Sequence, residues 1–153
     1  MSEKIILFDS TLRDGAQAEG ISFSVEDKIR VLETLDRVGI DIIEAGNPGS
    51  NPKDIEFFER VKDIELKHSK LCAFGSTRRS GIDVEDDANL QAIIQADTPA
   101  VAIFGKAWPF HITEIIKTTL DENLAMVEDT MAFLKASGKA VTFDAEHFFD
   151  GYK

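Results

Sequence analysis

The amino-acid sequence predicts an α/β fold in which helices cover a parallel sheet. Its 153 residues are enough for one domain of ordinary size. Short apolar runs rich in β-branched residues recur at intervals of roughly 30–40 residues, the length of one strand–helix unit. Because these runs are continuously apolar rather than alternating, we expect parallel strands that are covered on their faces.

Five strands are predicted, and they occupy Ile5–Phe8, Ile40–Ile43, Leu71–Phe74, Ala100–Phe104 and Ala140–Asp144. A strand is followed by a helical pattern four times before the fifth strand. Two architectures have this order, a doubly wound sheet and part of a (β/α)₈ barrel. A complete barrel needs about 250 residues, so a barrel would be present only as roughly its first half.

The first predicted helix follows Ser24, a good N-cap residue with Asp27 three residues later in a near capping box, and it ends at Gly39. Its apolar residues at helical spacing are Ile29, Leu32, Leu35 and Val38.

Three further helices are predicted. Pro52 lies in the first turn of the second, and Ile55, Phe58 and Val61 are expected to face inward. The third spans Asp87–Ala96. The fourth runs from about Thr113 to Ala136 and is closed by Ser137 and Gly138.

The composition is globular, with 43% hydrophobic and 29% charged residues. The single cysteine, Cys72, excludes a disulfide framework and a zinc cluster of paired cysteines. No apolar run approaches the roughly 20 residues of a membrane span, and no signal-peptide pattern begins the sequence. The formal charge of −11 disfavours binding to phosphate backbones. We therefore expect a cytoplasmic protein that binds neither membranes nor nucleic acid.

Polar clusters follow each predicted strand, at residues 9–17, 44–52, 75–79, 105–108 and 144–147. Functional groups gather at the carboxyl ends of strands in both parallel architectures. This convergence indicates an enzyme. Motifs for P-loop or dinucleotide binding, for serine hydrolysis and for zinc proteases are missing from the sequence.

Arg13 and Asp14 form the sharpest pair in these clusters. The carboxylate could hold a divalent metal while the guanidinium steadies an oxyanion, or the two could form a local ion pair that ties down a loop. Glu44 closes an apolar strand, as a buried partner of Arg13 or as an acid–base group. Glu146 is either a general base or a solvated residue of the rim.

Residues 9–17 (D-S-T-L-R-D-G-A-Q) resemble the D-x-T-L-R-D-G-x-Q signature of a superfamily of (β/α)₈ barrels. It comprises the isopropylmalate, homocitrate and citramalate synthases and hydroxymethylglutaryl-CoA lyase. Residues 18–24, 48–52, 73–79 and 144–153 look like the citramalate synthase branch, and the resemblance covers essentially the whole chain. It implies that residues 1–153 are the N-terminal portion of the catalytic barrel, with the remaining barrel, a His-x-His metal pair and a regulatory domain lying further along.

The resemblance also implies roles for individual residues. Asp14 would be a ligand of a divalent metal (Mg²⁺, Mn²⁺, Zn²⁺ or Co²⁺). Arg13 would bind substrate and stabilise the oxyanion, and Glu44 would complete the Asp-Arg-Glu set of the superfamily. Glu146 would belong to the acid–base network, and Phe104 would lie near the side chain of the 2-oxo acid.

The implied reaction is a Claisen condensation of acetyl-CoA with pyruvate that yields citramalate, in branched-chain amino acid biosynthesis. The alternatives are an isopropylmalate or homocitrate synthase, a carbon–carbon lyase, and a half-barrel that binds a partner without catalysis. Departures from the family pattern at Ala45, Asn47 and Pro109 lie in rim loops and bear on substrate preference. Residues 1–153 alone are expected to be inactive and to form a homodimer or a higher oligomer.

Overall fold

The computed structural model describes residues 4–153. The strands are β1 (Phe8–Asp9), β2 (Ile42–Gly46), β3 (Lys70–Ser76), β4 (Ala100–Lys106) and β5 (Ala140–Glu146). The α-helices are α1 (Val25–Val38), α2 (Pro52–Val61), α3 (Ala88–Gln95), α4 (Leu120–Ala136) and α5 (Phe148–Tyr152). A 3₁₀ turn, Gly15–Gln17, follows β1, and a π-helical segment, His111–Ile115, precedes α4. Within residues 4–153 no helix is long and apolar enough to cross a membrane.

The five strands form one sheet in the order β1-β2-β3-β4-β5, and all neighbouring strands are parallel. A doubly wound sheet reverses its strand order at a switch point, whereas a barrel wall follows the order of the chain. Right-handed crossovers then place successive helices on the same side of the sheet. The sheet is therefore the first half of a barrel, and the doubly wound alternative is wrong.

The two faces of the sheet carry different side chains. On the outer face, Ile43, Ala73, Val101 and Ile103 are fully buried in the main apolar core beneath the helices. On the inner face, Cys72, Ala100 and Ala102 form a small second cluster against Ile42 and Phe74. Residues at alternate positions along each strand thus belong to the helix layer or to the barrel interior.

The predicted signals at the ends of α1 are confirmed. The Ser24 hydroxyl accepts a hydrogen bond from the Asp27 N–H, and the Asp27 carboxylate accepts one from the Ser24 N–H, which completes a capping box. Gly39 ends the helix with a φ of 90°, a left-handed conformation in which glycine avoids steric strain. Val38, the last of the predicted apolar positions, is 73% exposed and does not face the core.

Ile55 was predicted to face inward from α2 and does not, since 48% of it is exposed. The buried face of α2 consists of Asp54, Phe57, Phe58 and Val61. Successive helical residues are rotated by 100° about the helix axis, so Ile55 lies on the side of α2 that faces away from these buried residues. The sequence pattern favoured Ile55 because a buried aspartate at position 54 was not expected.

Two element boundaries also differ from the prediction. Helix α4 begins at Leu120 rather than near Thr113, because Lys117 has a φ of 54° and Thr119 caps the new helix through the Glu122 N–H. Strand β1 pairs with β2 only at Phe8 and Asp9, so the predicted run Ile5–Phe8 is shifted towards the loop.

Candidate active site at the carboxyl ends of the strands

The loop after β1 folds into a tight turn that presents Arg13 and Asp14 side by side. The carbonyl oxygen of Ser10 accepts hydrogen bonds from the N–H groups of Arg13, Asp14 and Gly15 at 3.1, 2.9 and 3.2 Å. Leu12, directly before Arg13 in sequence, is completely buried and anchors the turn to the core. The backbone turn therefore holds the Cα atoms of Arg13 and Asp14, from which the two charged side chains extend, in defined positions.

The Arg13 guanidinium is held from three directions. Its Nε–H donates to Oε2 of Glu44 at 2.7 Å, and its Nη1 donates to Oδ1 of Asp14 at 3.0 Å. Its central carbon lies 3.9 Å from the centroid of the Phe74 ring, within cation–π distance. Arg13 and Asp14 from the loop after β1 are thus brought together with Glu44 from β2 at the barrel mouth.

Glu44 is the central residue of β2 and is only 2% exposed. Burial raises the pKa of its carboxyl group above the ordinary value, and the negative charges of Asp144 and Asp14 act in the same direction. The hydrogen bond and charge of Arg13 oppose this shift. Glu44 is therefore a buried partner of Arg13, which was one of the two roles that the sequence suggested for it.

Asp14 fits one ligand position of a divalent cation. Its side chain is 65% exposed, and a carboxylate is a hard oxygen donor of the kind that Mg²⁺ and Mn²⁺ prefer. Among the residues that the structure describes, no group of three or more His, Cys, Asp or Glu side chains could hold a metal. The described residues therefore hold no complete metal site, and a cation bound by Asp14 would need ligands from elsewhere.

An aromatic wall continues the inner face from Arg13 towards β4. Phe74 and Phe104 stack with their ring centroids 5.3 Å apart and their planes at 20°. The ammonium group of Lys106 lies 5.5 Å from the Phe104 centroid. A cavity of about 320 Å³ opens beside Phe104 and Lys106 and is also lined by Met126. Phe104 thus faces the interior beside a space large enough for a small ligand.

Glu146 is the last residue of β5, and its side chain is one-third exposed. Its Oε2 accepts a charge-assisted hydrogen bond from the Lys106 ammonium group at the end of β4. The sequence placed Lys106 among the rim residues without a role. The contact between Lys106 and Glu146 was not predicted, because 40 residues separate them in the sequence.

A second, polar cavity of about 240 Å³ lies beside Arg13 and is lined by Gln17, Asn47 and Lys53. Below it, the buried Asp54 carboxylate accepts a hydrogen bond from the Asn47 N–H at 2.8 Å and pairs with the buried Lys28 ammonium at 2.5 Å. No pattern in the sequence indicated this ion pair.

Glycine at position 46 makes room for this arrangement. An ideal Cβ built there would lie 2.5 Å from Cγ of Asp54, which is closer than Cβ atoms approach other groups. The close passage of the β2–α2 loop over Asp54 therefore depends on Gly46.

Other polar residues of the rim clusters lie apart from Arg13. Arg78 is buried against α4, where it pairs with Glu122 at 2.7 Å and Asp129 at 2.8 Å. His147 is 3.2 Å from the Asp150 carboxylate, and its ring contacts that of His111 at 4.3 Å between centroids. Arg78 thus fastens the loop after β3 to α4, and the histidines form a separate cluster.

Comparisons with known proteins agree on one group. A family model described as HMGL-like matches residues 4–151. The (R)-citramalate synthase of Aquifex aeolicus is 54% identical over 153 residues, which are 100% of this chain and 29% of that protein. A 2-isopropylmalate synthase of Salmonella arizonae is 38% identical over 122 residues, 80% of this chain and 22% of that protein. The chain thus spans less than a third of the length of these relatives.

The fold is similar to that of a solved lyase. The crystal structure of the HMG-CoA lyase from Bacillus subtilis matches with a TM-score of 0.70 at 18% identity, covering 93% of this chain and 46% of that one. At this identity the likeness concerns the fold, and it agrees with a half-barrel of five parallel strands.

Proposed function

The chain belongs to the HMGL-like family, and on that premise we propose that residues 1–153 form the N-terminal portion of the catalytic barrel of a citramalate synthase. The complete protein would be an acyltransferase that condenses acetyl-CoA with pyruvate. The observation that carries the proposal is the Arg13 guanidinium, held by Glu44 and Asp14 at the carboxyl ends of β1 and β2. The 54% identity with a citramalate synthase supports this substrate pair.

The reaction joins two carbon atoms. The methyl group of acetyl-CoA loses a proton, the resulting enolate attacks the keto carbon of pyruvate, and hydrolysis of the thioester releases CoA and citramalate. Negative charge develops on the keto oxygen during the attack. A fixed guanidinium at that point stabilises the charge without reorganising at the moment of reaction. Arg13 is suited to this role because Glu44, Asp14 and Phe74 hold it in one orientation.

Asp14 would supply one ligand of a divalent cation, together with residues outside 1–153. When bound, such an ion supplies Lewis-acid polarisation of a carbonyl group. The exposure of the Asp14 carboxylate leaves it accessible for this purpose.

Glu146 would act in the acid–base network, and Phe104 would contact the side chain of the 2-oxo acid. The geometry that supports both roles is the common inner face of β4 and β5, where Phe104 is the register partner of Asp144 and Lys106 that of Glu146. The proposed setting is branched-chain amino acid biosynthesis, principally that of isoleucine, in the cytoplasm. The complete enzyme would be a homodimer or a higher oligomer.

A second candidate is a 2-isopropylmalate synthase, which the 38% identity with the Salmonella arizonae protein favours. It would use the same chemistry with a larger 2-oxo acid, in leucine biosynthesis. The discriminating feature is the size of the pocket beside Phe104.

The test uses the full-length protein, purified with divalent metal present. Release of CoA from acetyl-CoA is measured with a panel of 2-oxo acids of increasing side-chain size. The proposal expects the highest kcat/KM with pyruvate. A preference for a branched 2-oxo acid would favour the second candidate, and no CoA release with any member would overturn both.

A further inference from the structure

We propose that Lys106 is a positioning residue that holds the Glu146 carboxylate in its reactive orientation. The inference rests on the proposed function, because it assigns a partner to the proposed acid–base group. It goes beyond that function because it identifies a residue on a different strand on which the reaction depends.

The backbone sets the starting point of both side chains. The β4–β5 ladder runs from Ala100 and Ala140 to its last pair, Lys106 and Glu146. Beyond that pair the Ala107 N–H donates to the Glu146 carbonyl oxygen at 3.2 Å, and the Asn123 side-chain amide donates to the Lys106 carbonyl oxygen at 3.0 Å. These two hydrogen bonds hold the carboxyl ends of β4 and β5 in place beyond their last register pair.

The two side chains point to the same face of the sheet. Neighbouring register partners in parallel strands present their side chains together, and here they face the barrel interior beside Phe104. The Lys106 side chain is 20% exposed and that of Glu146 is 33% exposed. The pair is thus shielded more than an exposed surface pair but remains open to a ligand from one side.

Within residues 4–153, Lys106 makes the one ion pair in which Glu146 takes part. The neighbouring His147 is directed at Asp150 instead. A glutamate side chain has three rotatable bonds, and proton transfer requires the carboxylate at hydrogen-bond distance from the proton that it accepts. A charge-assisted hydrogen bond to one oxygen restricts those bonds and leaves the other oxygen for the reaction.

The experiment uses the full-length enzyme and steady-state kinetics with acetyl-CoA and pyruvate. The variants are Lys106→Met, Lys106→Gln, Lys106→Arg, Glu146→Gln and the double variant Lys106→Met/Glu146→Gln. Lys62→Met, which removes an exposed ion pair with Glu59 on α2, is the matched control. Circular dichroism and Tm confirm that each variant is folded. If Lys106→Met does not fold, Lys106→Gln takes its place as the test variant.

We expect Lys106→Met to lower kcat by on the order of 10²-fold, as Glu146→Gln does, with the KM for both substrates changed less than about twofold. Lys106→Arg should restore kcat to within about tenfold of the wild type, because it keeps the cation. The double variant should be no slower than Glu146→Gln alone, since residues that act as a unit are not additive.

Three results would overturn the inference while leaving the proposed function intact. An unchanged kcat with a lower Tm would make the pair purely structural. A raised KM with normal kcat would make Lys106 a ligand of a substrate anion. Multiplicative losses in the double variant would make the two residues independent. A wild-type protein that is inactive with every 2-oxo acid would overturn the proposed function and this inference with it.

Discussion

Arg13 donates its Nε–H to the buried carboxylate of Glu44 across 2.7 Å, although 31 residues separate them in the chain. The contact joins the loop after β1 to the middle of β2. A guanidinium is planar and presents donors on two edges, so Arg13 can reach Glu44 and Asp14 at once while its face lies on Phe74. Lysine has neither the second edge nor the flat face.

The first prediction is that Arg13→Lys in the full-length enzyme lowers kcat/KM by about 10²–10³-fold, or about 2.7–4 kcal/mol of transition-state stabilisation. Metal binding, measured by calorimetry, should be retained because Asp14 is unchanged. Arg37→Lys, on the exposed side of α1, is the control for loss of a guanidinium. A kcat/KM within about twofold of the wild type would contradict the role of Arg13.

The second prediction is that Asp14→Asn abolishes turnover and weakens metal binding. An amide keeps the shape of the side chain but loses the charge that attracts a divalent cation. The measurement is CoA release as a function of metal concentration, with bound metal quantified in parallel. Normal activity without excess metal would refute the assignment of Asp14 as a ligand.

The third prediction concerns the pH dependence of stability. Burial raises the pKa of Glu44, chiefly by desolvation. In the unfolded chain the pKa of a glutamate is about 4.3. A carboxyl group whose pKa is higher in the folded state contributes stability that is full below the unfolded value and is lost as pH rises through the folded value. The wild type should therefore lose stability relative to Glu44→Gln as pH rises above about 4.3.

Urea unfolding of both proteins between about pH 3.5 and 7 checks this difference. Glu56→Gln, which removes a carboxyl group that is 61% exposed, controls for the loss of one negative charge. If the difference between wild type and Glu44→Gln does not change across this range, Glu44 does not titrate differently in the folded state.

The fourth prediction is that Lys28→Met lowers the free energy of unfolding by about 3–5 kcal/mol, because it leaves the Asp54 charge buried without its partner. Lys28 and Asp54 are only 3% and 7% exposed. The double variant Lys28→Met/Asp54→Asn should lose less than the single one, since no uncompensated charge remains. Lys62→Met, in an exposed pair, should cost about 0–1 kcal/mol. Equal losses in Lys28→Met and Lys62→Met would show that burial of the Lys28–Asp54 pair does not raise the cost of breaking it.

Local signals in the sequence predicted much of the fold. Ser24 and Asp27 form their capping box, and Gly39 ends α1, because these motifs depend only on residues within one turn. The same locality explains the errors. The exposure of Ile55 depends on the burial of Asp54, and this in turn depends on Lys28, which lies 26 residues earlier on another helix. No periodic pattern within α2 contains that information.

The sequence could suggest the members of the candidate site and the contact between Arg13 and Glu44, but not the contact between Lys106 and Glu146. A parallel sheet brings strand ends to one edge, so Arg13, Asp14, Glu44 and Glu146 could be assigned to that edge before their distances were known. The pairing of Lys106 with Glu146 depends on the register of β4 against β5, which cannot be read from either strand alone. The contacts of Arg78 could not be predicted for the same reason, because its partners lie on α4.

The last prediction is that a polypeptide of residues 1–153, produced by itself, does not remain a simple monomer. Large apolar side chains are exposed at both ends of the chain, among them Ile6 at 61% and Leu7 at 51%, just before β1, and Phe149 at 77%, on α5 after β5. Unpaired strand edges and large apolar patches recruit other chains. Two copies could bury these surfaces in a two-fold dimer.

Light scattering coupled to size-exclusion chromatography, with mass spectrometry of the ends, measures the assembly. Ile6→Lys should weaken association by about 10–100-fold, the value of burying one isoleucine. Ile55→Lys, on the exposed side of α2, should leave the strength of association unchanged. A monodisperse monomer with intact ends would contradict the prediction, because the exposed apolar faces would then be compatible with water.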